Sequence, residues 1–540
     1  MPQIPDIRLP PLGTMAMTRS SGLAVGLAIA ITALTGWQQA PAQAPTISID
    51  PSRLPPLATI DERFQSYNLE MVEVTGGRFW KPYRRNASAP SPRGADHAQN
   101  IPADSNPDLF EYREPIDLTN SRLRMLAAAL RPAYLRVSGT WANTTYFADS
   151  DATPSTPPDG FGAVLSRERW KSVIDFAHAV NADILTSMAV SRGVRGAAGF
   201  WQSDQARRLF AYTKSVGGRI AAAELMNEPT LPAMGGAPDG YDAAAYGRDF
   251  KAFHAFIRDS APDVIVLGPG SIGETTARPL SSEFISTRDL LAASGPGIDA
   301  FSYHHYGALS QRCSGVAGQT TPEAALSEGW LASTDRTLAF YRSLRDEFAP
   351  AKPIWLTETA ESACGGNPWA STFLDTFRYL DQLGRLAKAG VQVVAHNTLA
   401  ASDYGLLDEK TLRPRPNYWA ALLWRALMGT TVLDAGVHHK MHLYAHCARA
   451  VPGAVTLLAI NTDRTAAAVL RLPLASERYT LSADDLQSAD VKLNGTALDL
   501  GPDGDLPPLS AVTSPAGSLE IAPATITFLT VADARSPSCD

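Results

Sequence analysis

The sequence predicts an α/β protein, a (β/α)8 TIM barrel followed by a C-terminal all-β sandwich domain. Strand-like apolar runs alternate with helical patterns until the count reaches eight strands, within residues 61–430. Such alternation is typical of a parallel sheet with helical crossovers. Over residues 431–540, short strand patterns follow one another with turns and no helix between them, which indicates a sandwich. The length of 540 residues is enough for two or three domains.

The barrel elements are predicted from the spacing of apolar residues. Strand-like runs lie at 67–74, 133–138, 183–190, 221–226, 264–267, 300–306, 353–357 and 391–395. Helical spacing is found at 170–180, 203–216, 250–260, 333–348, 371–389 and 418–428. Residues 80–115, rich in Pro, Asn, Asp and Ser, are predicted to form a long loop.

The predicted β-domain strands are short and separated by turns. They lie at 442–445, 454–460, 467–472, 478–481, 491–494 and 524–531. Residues 45–60 combine a strand pattern with a Pro-rich link, and we expect this segment to pack on the β-domain.

Residues 1–44 have the pattern of a signal peptide. Arg19 precedes the apolar stretch 22–37, and Ala42-Gln43-Ala44 resembles a signal-peptidase site. The apolar core is too short for a membrane span, so no stable membrane anchor is expected. The sequence therefore predicts a secreted or periplasmic protein.

The composition excludes some partners. The chain is 45% hydrophobic and 19% charged, as in ordinary globular proteins. A net charge of -7 argues against nucleic acid as the main partner, and against a surface that binds a sulfated polymer along its whole length. Four widely separated cysteines give no zinc signature and allow three disulfide pairings in an exported chain.

Two predicted strands end at a glutamate. Asn227-Glu228-Pro229 closes the run that begins at residue 221, because Pro229 lacks an amide donor and restricts the residue before it to extended geometry. Glu358 follows the run that begins at residue 353. Taken alone, Glu228 could be a solvated residue that caps a loop. Two carboxylates at the same end of a barrel, about 5–5.5 Å apart, are what a retaining glycosidase requires.

His304 and His305 have the residue type of metal ligands. No third ligand stands at a suitable spacing in the sequence, and both are predicted to be hydrogen-bonding groups in the barrel mouth. No metal or organic cofactor is expected.

The chain resembles glycoside hydrolase family 79, the heparanase and β-glucuronidase family, from about residue 60 to the C-terminus. The stretches that carry the resemblance are 131–140, 224–229, 303–306, 355–359 with Gly365-Gly366, 403–404, 416–419, 442–447 and 491–495. The resemblance implies that Glu228 is the acid/base and Glu358 the nucleophile. It also implies that Asn227 binds the sugar 2-hydroxyl and that Tyr306 donates to the nucleophile.

The resemblance also implies how a glucuronate is recognised. Its carboxylate would be bound by the backbone amides of Gly365 and Gly366 and by the Tyr404 hydroxyl. The remaining sugar contacts would come from Glu70, Thr140 and Asn397. The chain departs from the heparanase pattern by one extra residue between Glu358 and Gly365, and by Cys364 where the family has Tyr.

Cys447 and Cys539 match the disulfide of the family's β-domain, which leaves Cys313 and Cys364. A disulfide between these two would fix the substrate-recognition loop, a hypothesis that fails if both thiols titrate as free in the mature protein.

Two departures from animal heparanases bear on the substrate. The excised linker is replaced by the short segment 146–166, so a single-chain enzyme is expected, and the Lys-rich runs are missing. Both favour an exo-acting β-glucuronidase that acts on glucuronic-acid-containing oligo- or polysaccharides. The alternatives are an endo-β-glucuronidase, a xylosidase or arabinofuranosidase, and a polysaccharide-binding protein without activity.

Overall fold

The computed structural model describes residues 46–83, 102, 105–275, 284–313, 320–438, 441–449 and 451–540. The predicted signal peptide at residues 1–44 lies outside them. Eight parallel strands close into a barrel, in which the first strand pairs with the eighth. They are β1 (Gln65–Glu70), β2 (Ala133–Ser138), β3 (Ala182–Ser187), β4 (Ile220–Glu224), β5 (Ile265–Ser271), β6 (Ala300–Leu309), β7 (Ile354–Ala363) and β8 (Val393–His396). The predicted barrel is confirmed.

Helices join successive barrel strands and cover the outside of the barrel. Their apolar faces and those of the strands share one large buried core. Inward-facing residues of the strands, including Tyr134 and Trp355, form a second apolar cluster. The main helices are Ser121–Ala128, Arg167–Ala179, Asp204–Ser215, Ala243–Ser260, Thr287–Ser294, Glu328–Leu331, Ser333–Phe348, Phe373–Lys388 and Pro416–Leu427.

The C-terminal domain consists of two sheets packed face to face. The larger sheet contains Pro56–Thr59, Met428–Leu433, Met441–Ala448, Val455–Asn461, Thr525–Val531, Ser476–Ser482, Lys492–Leu493, Thr496–Ala497 and Val512–Ser514. The smaller sheet contains Thr46–Ser48, Ala468–Leu472 and Gly517–Ile521. A buried apolar cluster lies between them, with Leu457 and Leu529 from the larger sheet and Leu470 from the smaller.

The N-terminal segment contributes a strand to each sheet of this domain. The helix 416–427 continues directly into strand 428–433, which pairs with 56–59. The domain limits at residues 60 and 430 remain a prediction. Among the helices of the described residues, none has the length and hydropathy of a membrane span.

Three local predictions differ from the structure. The first barrel strand ends at Glu70 rather than continuing to residue 74, because the Glu73 carboxylate accepts the Glu70 N–H at 2.7 Å and starts the short helix Met71–Thr75. The predicted loop 80–115 lies partly outside the described residues, and its ends contribute to the antiparallel pair Gly77–Trp80 and Phe110–Arg113. The seventh strand does not end at Glu358 but continues to Ala363, because it pairs there with the equally long β6. The short segment 146–166, for which no element was predicted, contributes to a parallel pair of strands.

One buried carboxylate, Asp381, joins the helix 373–388 to the β-domain. It accepts hydrogen bonds from the Tyr444 hydroxyl and from Nδ1 of His442, both at 2.5 Å. Arg385 of the same helix donates to it from Nε at 2.6 Å. The contact between barrel and β-domain is therefore charged and buried.

His442 lies between two carboxylates, because its Nε2 is 3.1 Å from Glu328. Both ring nitrogens can donate only when the ring is protonated. Burial acts to lower the pKa of His442, but the hydrogen bond and the charge of Asp381 outweigh it, and the pKa is raised. The protonated form therefore strengthens the contact.

We expect His442→Gln to destabilise the protein more at acidic than at alkaline pH. Since the folded pKa is raised, the stabilisation is complete below the unfolded value of about 6.5 and is lost as pH rises through the folded pKa. The loss of unfolding free energy should reach about 1–3 kcal/mol at low pH. Thermal unfolding across this range measures it, with the exposed His178→Gln as control. An equal destabilisation at every pH would contradict the expectation.

Candidate active site

Two buried glutamates meet in the barrel, Glu228 after the end of β4 and Glu358 within β7. One carboxylate oxygen of Glu228, one of Glu358 and a ring nitrogen of His304 all lie within 4.8 Å of one another. Glu228 follows the end of β4 and has φ +49°, a left-handed conformation that residues other than glycine rarely adopt. The extended geometry predicted for the residue before Pro229 is therefore wrong for Glu228. Left-handed conformations of this kind are found where a fold must aim a functional side chain.

Arg136 of β2 forms hydrogen bonds to several members of the site. Its guanidinium donates to Glu358 Oε2 and to Asn227 Oδ1, each at 2.7 Å, and to Nε2 of His304 at 3.2 Å. Glu224 Oε2 lies 3.4 Å away. Sequence reasoning missed this residue, although one signal was present: Arg136 is the only charged residue in the buried run 133–138. A charge in such a strand requires partners inside the barrel.

The Arg136 contact fixes the tautomer of His304. A guanidinium can only donate, so Nε2 of His304 accepts and Nδ1 carries the proton. Nδ1 then donates to Glu228 Oε1 at 2.9 Å. Glu228, His304 and Glu358 have the residue types of a metal site, which the sequence spacing did not show. A cation there would have to displace this proton and lie beside Arg136, so the donor set favours proton transfer over metal binding.

His305 does not lie in the barrel mouth, and the prediction that both histidines do so was wrong for this residue. Successive side chains of a strand point to opposite faces, and Nε2 of His305 lies 3.5 Å from the Ser333 hydroxyl of helix 333–348. Burial lowers the pKa of His305 to about 3, so the ring is neutral.

The two carboxyl groups have pKa values shifted in opposite directions. Burial, with the negative charge of Glu358, raises the pKa of Glu228. Burial acts in the same direction on Glu358, but the electrostatic effects of His304 and of the Arg136 guanidinium, with the hydrogen bonds from Tyr306 and Arg136, outweigh it and lower the pKa of Glu358. The Tyr306 hydroxyl donates to Glu358 Oε1 at 2.7 Å. One carboxyl group is thus suited to hold a proton and the other to stay ionised.

Asn227 is fixed at both its side chain and its main chain. Arg136 occupies its side-chain oxygen, which leaves the amide N–H groups to donate. Asn143 donates to the Asn227 carbonyl at 2.9 Å and accepts its backbone N–H at 2.8 Å. Sequence reasoning gave no sign of Asn143, because this contact joins two separate loops.

A second polar group surrounds Asn397 after β8. Its side-chain nitrogen donates to Glu70 Oε1 and the Tyr306 hydroxyl, each at 3.0 Å, and lies 3.4 Å from the Tyr404 hydroxyl. Within the described residues, Glu70 Oε2 and Asn397 Oδ1 are buried without a hydrogen-bond partner. Burial and the Glu358 charge raise the pKa of Glu70 well above its usual value. Buried unpaired oxygens are costly, so these two suit hydroxyl groups of a ligand.

Thr140 begins the short 3-10 helix Thr140–Thr144 directly after β2. The residue before it, Gly139, approaches Glu70 so closely that a Cβ there would lie 1.5 Å from Glu70 Oε2. Thr140 thus follows a residue that contacts Glu70, and none of the hydrogen bonds described joins Thr140 itself to the Glu70 group.

Gly365 and Gly366 form a buried turn after β7. Their φ angles are +79° and +85°, and a Cβ on Gly365 would lie 2.5 Å from that of Trp80. Their carbonyls accept from the hydroxyls of Ser402 at 2.9 Å and Ser310 at 2.6 Å. Among the described residues, neither backbone N–H has a hydrogen-bond partner. Two free amides in one turn suit an anion.

The disulfide implied by the resemblance and the one hypothesised between the two remaining cysteines are both present. Cys447 pairs with Cys539, and Cys313 pairs with Cys364 beside the glycine turn.

Comparison with known proteins identifies relatives of the chain. The family model "Glycosyl hydrolase family 79, N-terminal domain" matches residues 115–384. Mouse (Mus musculus) heparanase is 29% identical over 487 residues, 78% of this chain and 88% of that protein. Hyaluronoglucuronidase of Hirudo nipponia is 27% identical over 488 residues, 78% of this chain and 92% of that protein. Baicalin-beta-D-glucuronidase of Scutellaria baicalensis is 26% identical over 464 residues, 77% of this chain and 83% of that protein.

A solved structure supports the fold. The GH51 arabinofuranosidase from Xanthomonas axonopodis pv. citri superposes with a TM-score of 0.59 and 16% identity, over 90% of this chain and 99% of that one. At this identity, the likeness shows a shared barrel with an antiparallel β-domain.

Proposed function

The chain belongs to glycosyl hydrolase family 79, and on that premise we propose that it is a retaining exo-β-glucuronidase that releases β-linked glucuronic acid from glycans. It is a glycoside hydrolase of the heparanase and β-glucuronidase type, acting on glucuronide linkages. The approach of Glu228 and Glu358 to within 4.8 Å supports the retaining mechanism most directly. An inverting enzyme would need a wider gap to hold a water molecule.

In the first step, the Glu358 carboxylate attacks the anomeric carbon. Glu228 gives its proton to the leaving oxygen, and a covalent glycosyl-enzyme forms. Arg136 and Tyr306 hold the two oxygens of Glu358, which sets the direction of attack. The Asn227 amide donates to the sugar 2-hydroxyl, a contact that strengthens in the transition state.

In the second step, Glu228 is ionised and removes a proton from water. The water attacks the anomeric carbon, and the Glu358 carboxylate leaves. The hydrogen bond from His304 Nδ1 stabilises the ionised Glu228 and fixes its orientation. Because each of the two steps inverts the anomeric carbon, the released sugar has the same anomeric configuration as the substrate.

The polar groups around the mouth fit a uronic acid. The free amides of Gly365 and Gly366, with the Tyr404 hydroxyl, would bind the carboxylate without a cation. Glu70 and Asn397 offer oxygens to the sugar hydroxyls. Thr140, which follows the Gly139 that contacts Glu70, would complete the contacts.

The net charge favours the exo enzyme on small glucuronides. A net charge of -7 does not favour a long sulfated chain. The named relatives leave the endo alternative open, because one is called a heparanase and another a hyaluronoglucuronidase. The signal-like residues 1–44 and the disulfides support a secreted or periplasmic location.

A substrate screen followed by product sizing tests this function. We expect the aryl β-glucuronide to be hydrolysed at least about a hundredfold better, by kcat/KM, than the β-xyloside or the α-arabinofuranoside, since unpaired binding groups penalise the wrong sugar. A glucuronate-terminated oligosaccharide should then release single sugars. Internal fragments would identify an endo enzyme, and binding without turnover a polysaccharide-binding protein.

A further inference from the structure

Three consecutive residues after β7 adopt left-handed backbone conformations. Cys364 has φ +61°, followed by Gly365 and Gly366 with φ +79° and +85°. Glycine adopts this conformation freely, but an L-residue such as Cys364 does so only when its surroundings hold it there. The residue held in this way directly precedes the two free amides.

Several contacts hold this turn from outside. The carbonyls of Gly365 and Gly366 accept from two serine hydroxyls, and the Asn367 side chain contacts the Glu361 carboxylate and the Gln311 amide. Cys364 is fixed by its disulfide to Cys313, which lies in the short 3-10 helix after β6. Both cysteines are partly exposed, so a reductant can reach them.

We propose that the Cys313–Cys364 disulfide determines specificity, because it holds the turn in the conformation in which the Gly365 and Gly366 amides receive the substrate carboxylate. The inference rests on the proposed function. On reduction, a dithiol such as dithiothreitol gives up two hydrogen atoms and becomes a cyclic disulfide. The Cys313–Cys364 bond breaks, and two thiols form.

The catalytic carboxylates do not depend on this link. Their hydrogen bonds run to Arg136, His304 and Tyr306, none of which belongs to the turn. Loss of the disulfide should therefore weaken binding of the anionic sugar more than the chemical step.

The double substitution Cys313→Ser with Cys364→Ser tests the proposal. We expect KM for an aryl β-glucuronide to rise about tenfold to a hundredfold, because charge-assisted hydrogen bonds to the substrate carboxylate are lost. The change in kcat should be smaller. The kcat/KM for the neutral aryl β-glucoside should stay within about threefold of the wild-type value, because this sugar has no carboxylate for the two amides to bind. The matched control is Cys447→Ser with Cys539→Ser, which removes the distant disulfide and should leave the ratio of the two substrates unchanged.

Two further measurements guard against a folding defect. The variant Cys447→Ser with Cys539→Ser, in which Cys313–Cys364 is the one remaining disulfide, is treated with dithiothreitol and then reoxidised. Its substrate ratio should fall as two thiols become titratable and recover as they disappear. An unchanged ratio in the reduced enzyme, or two free thiols in the mature oxidised protein, would overturn the proposal. A wild type that hydrolyses no β-glucuronide would instead refute the proposed function.

Discussion

Replacing Glu358 by alanine is expected to lower kcat for an aryl β-glucuronide by at least about four orders of magnitude, the scale seen when a nucleophile is removed. Arg136 and Tyr306 hold the two oxygens of Glu358, and Glu228 is the acid on the other side of the sugar. Loss of its charge should also lower the pKa of Glu228, because that charge helps to raise it.

The space left by the Glu358 side chain allows a rescue experiment, which is more specific than the loss of activity alone. Azide added to the alanine variant should attack from the side of the missing carboxylate, restore part of the rate and give the α-glucuronyl azide. Glu358→Gln keeps the volume and should be inactive without rescue. The control is Glu347→Ala, a surface residue paired with Arg288, whose loss should change little. A near-normal rate in Glu358→Ala, or a mechanism-based label on another residue, would refute the assignment.

The carboxylate pair could be predicted because it depends on local signals. A proline after Glu228 marks the end of a strand, and a parallel barrel brings the residues at such ends to one face. The apolar run before Glu358 predicted its strand but not where that strand ends, because β7 continues to Ala363. The eight strands could be predicted because the alternation of strand-like runs with helical spacing is also a local signal. Where a local side chain decides the boundary, as Glu73 does after β1, periodicity extended the strand too far.

The groups that orient the pair could not be found in this way. Arg136 acts through residues from three other parts of the chain, and its partners are known only once the barrel closes. His304 and His305 are adjacent in sequence, yet the pleat of β6 sends one toward Glu228 and the other toward helix 333–348. Their roles differ because of which face each occupies, a matter of register that the sequence pattern left open.

The glycine turn shows the same limit. The resemblance to family 79 implied that Gly365 and Gly366 bind the substrate carboxylate. Their free amides and the left-handed conformation of Cys364 are properties of backbone geometry. Such geometry leaves no trace in composition or spacing. A cysteine before two glycines is compatible with many turns, and only the pairing with Cys313 shows what holds this one.

Replacing Glu228 by alanine should reduce activity in proportion to the need for protonation of the leaving group. General acid catalysis contributes about a hundredfold to ten-thousandfold, and a poor leaving group such as an alkyl alcohol should lose at least this much. An activated aryl leaving group departs without a proton, so its first step should be nearly unaffected. Deglycosylation should become rate-limiting instead, because no base remains to activate water.

The pH profile separates this role from a structural one. In the wild type, kcat/KM should fall at alkaline pH as Glu228 loses its proton at a raised pKa, and at acidic pH as Glu358 gains one at a lowered pKa. In Glu228→Ala, the alkaline fall should disappear for an activated substrate while the acidic fall remains. Coupling between the two groups shifts both limbs together. Equal losses for good and poor leaving groups, with the alkaline limb intact, would remove Glu228 from the acid/base role.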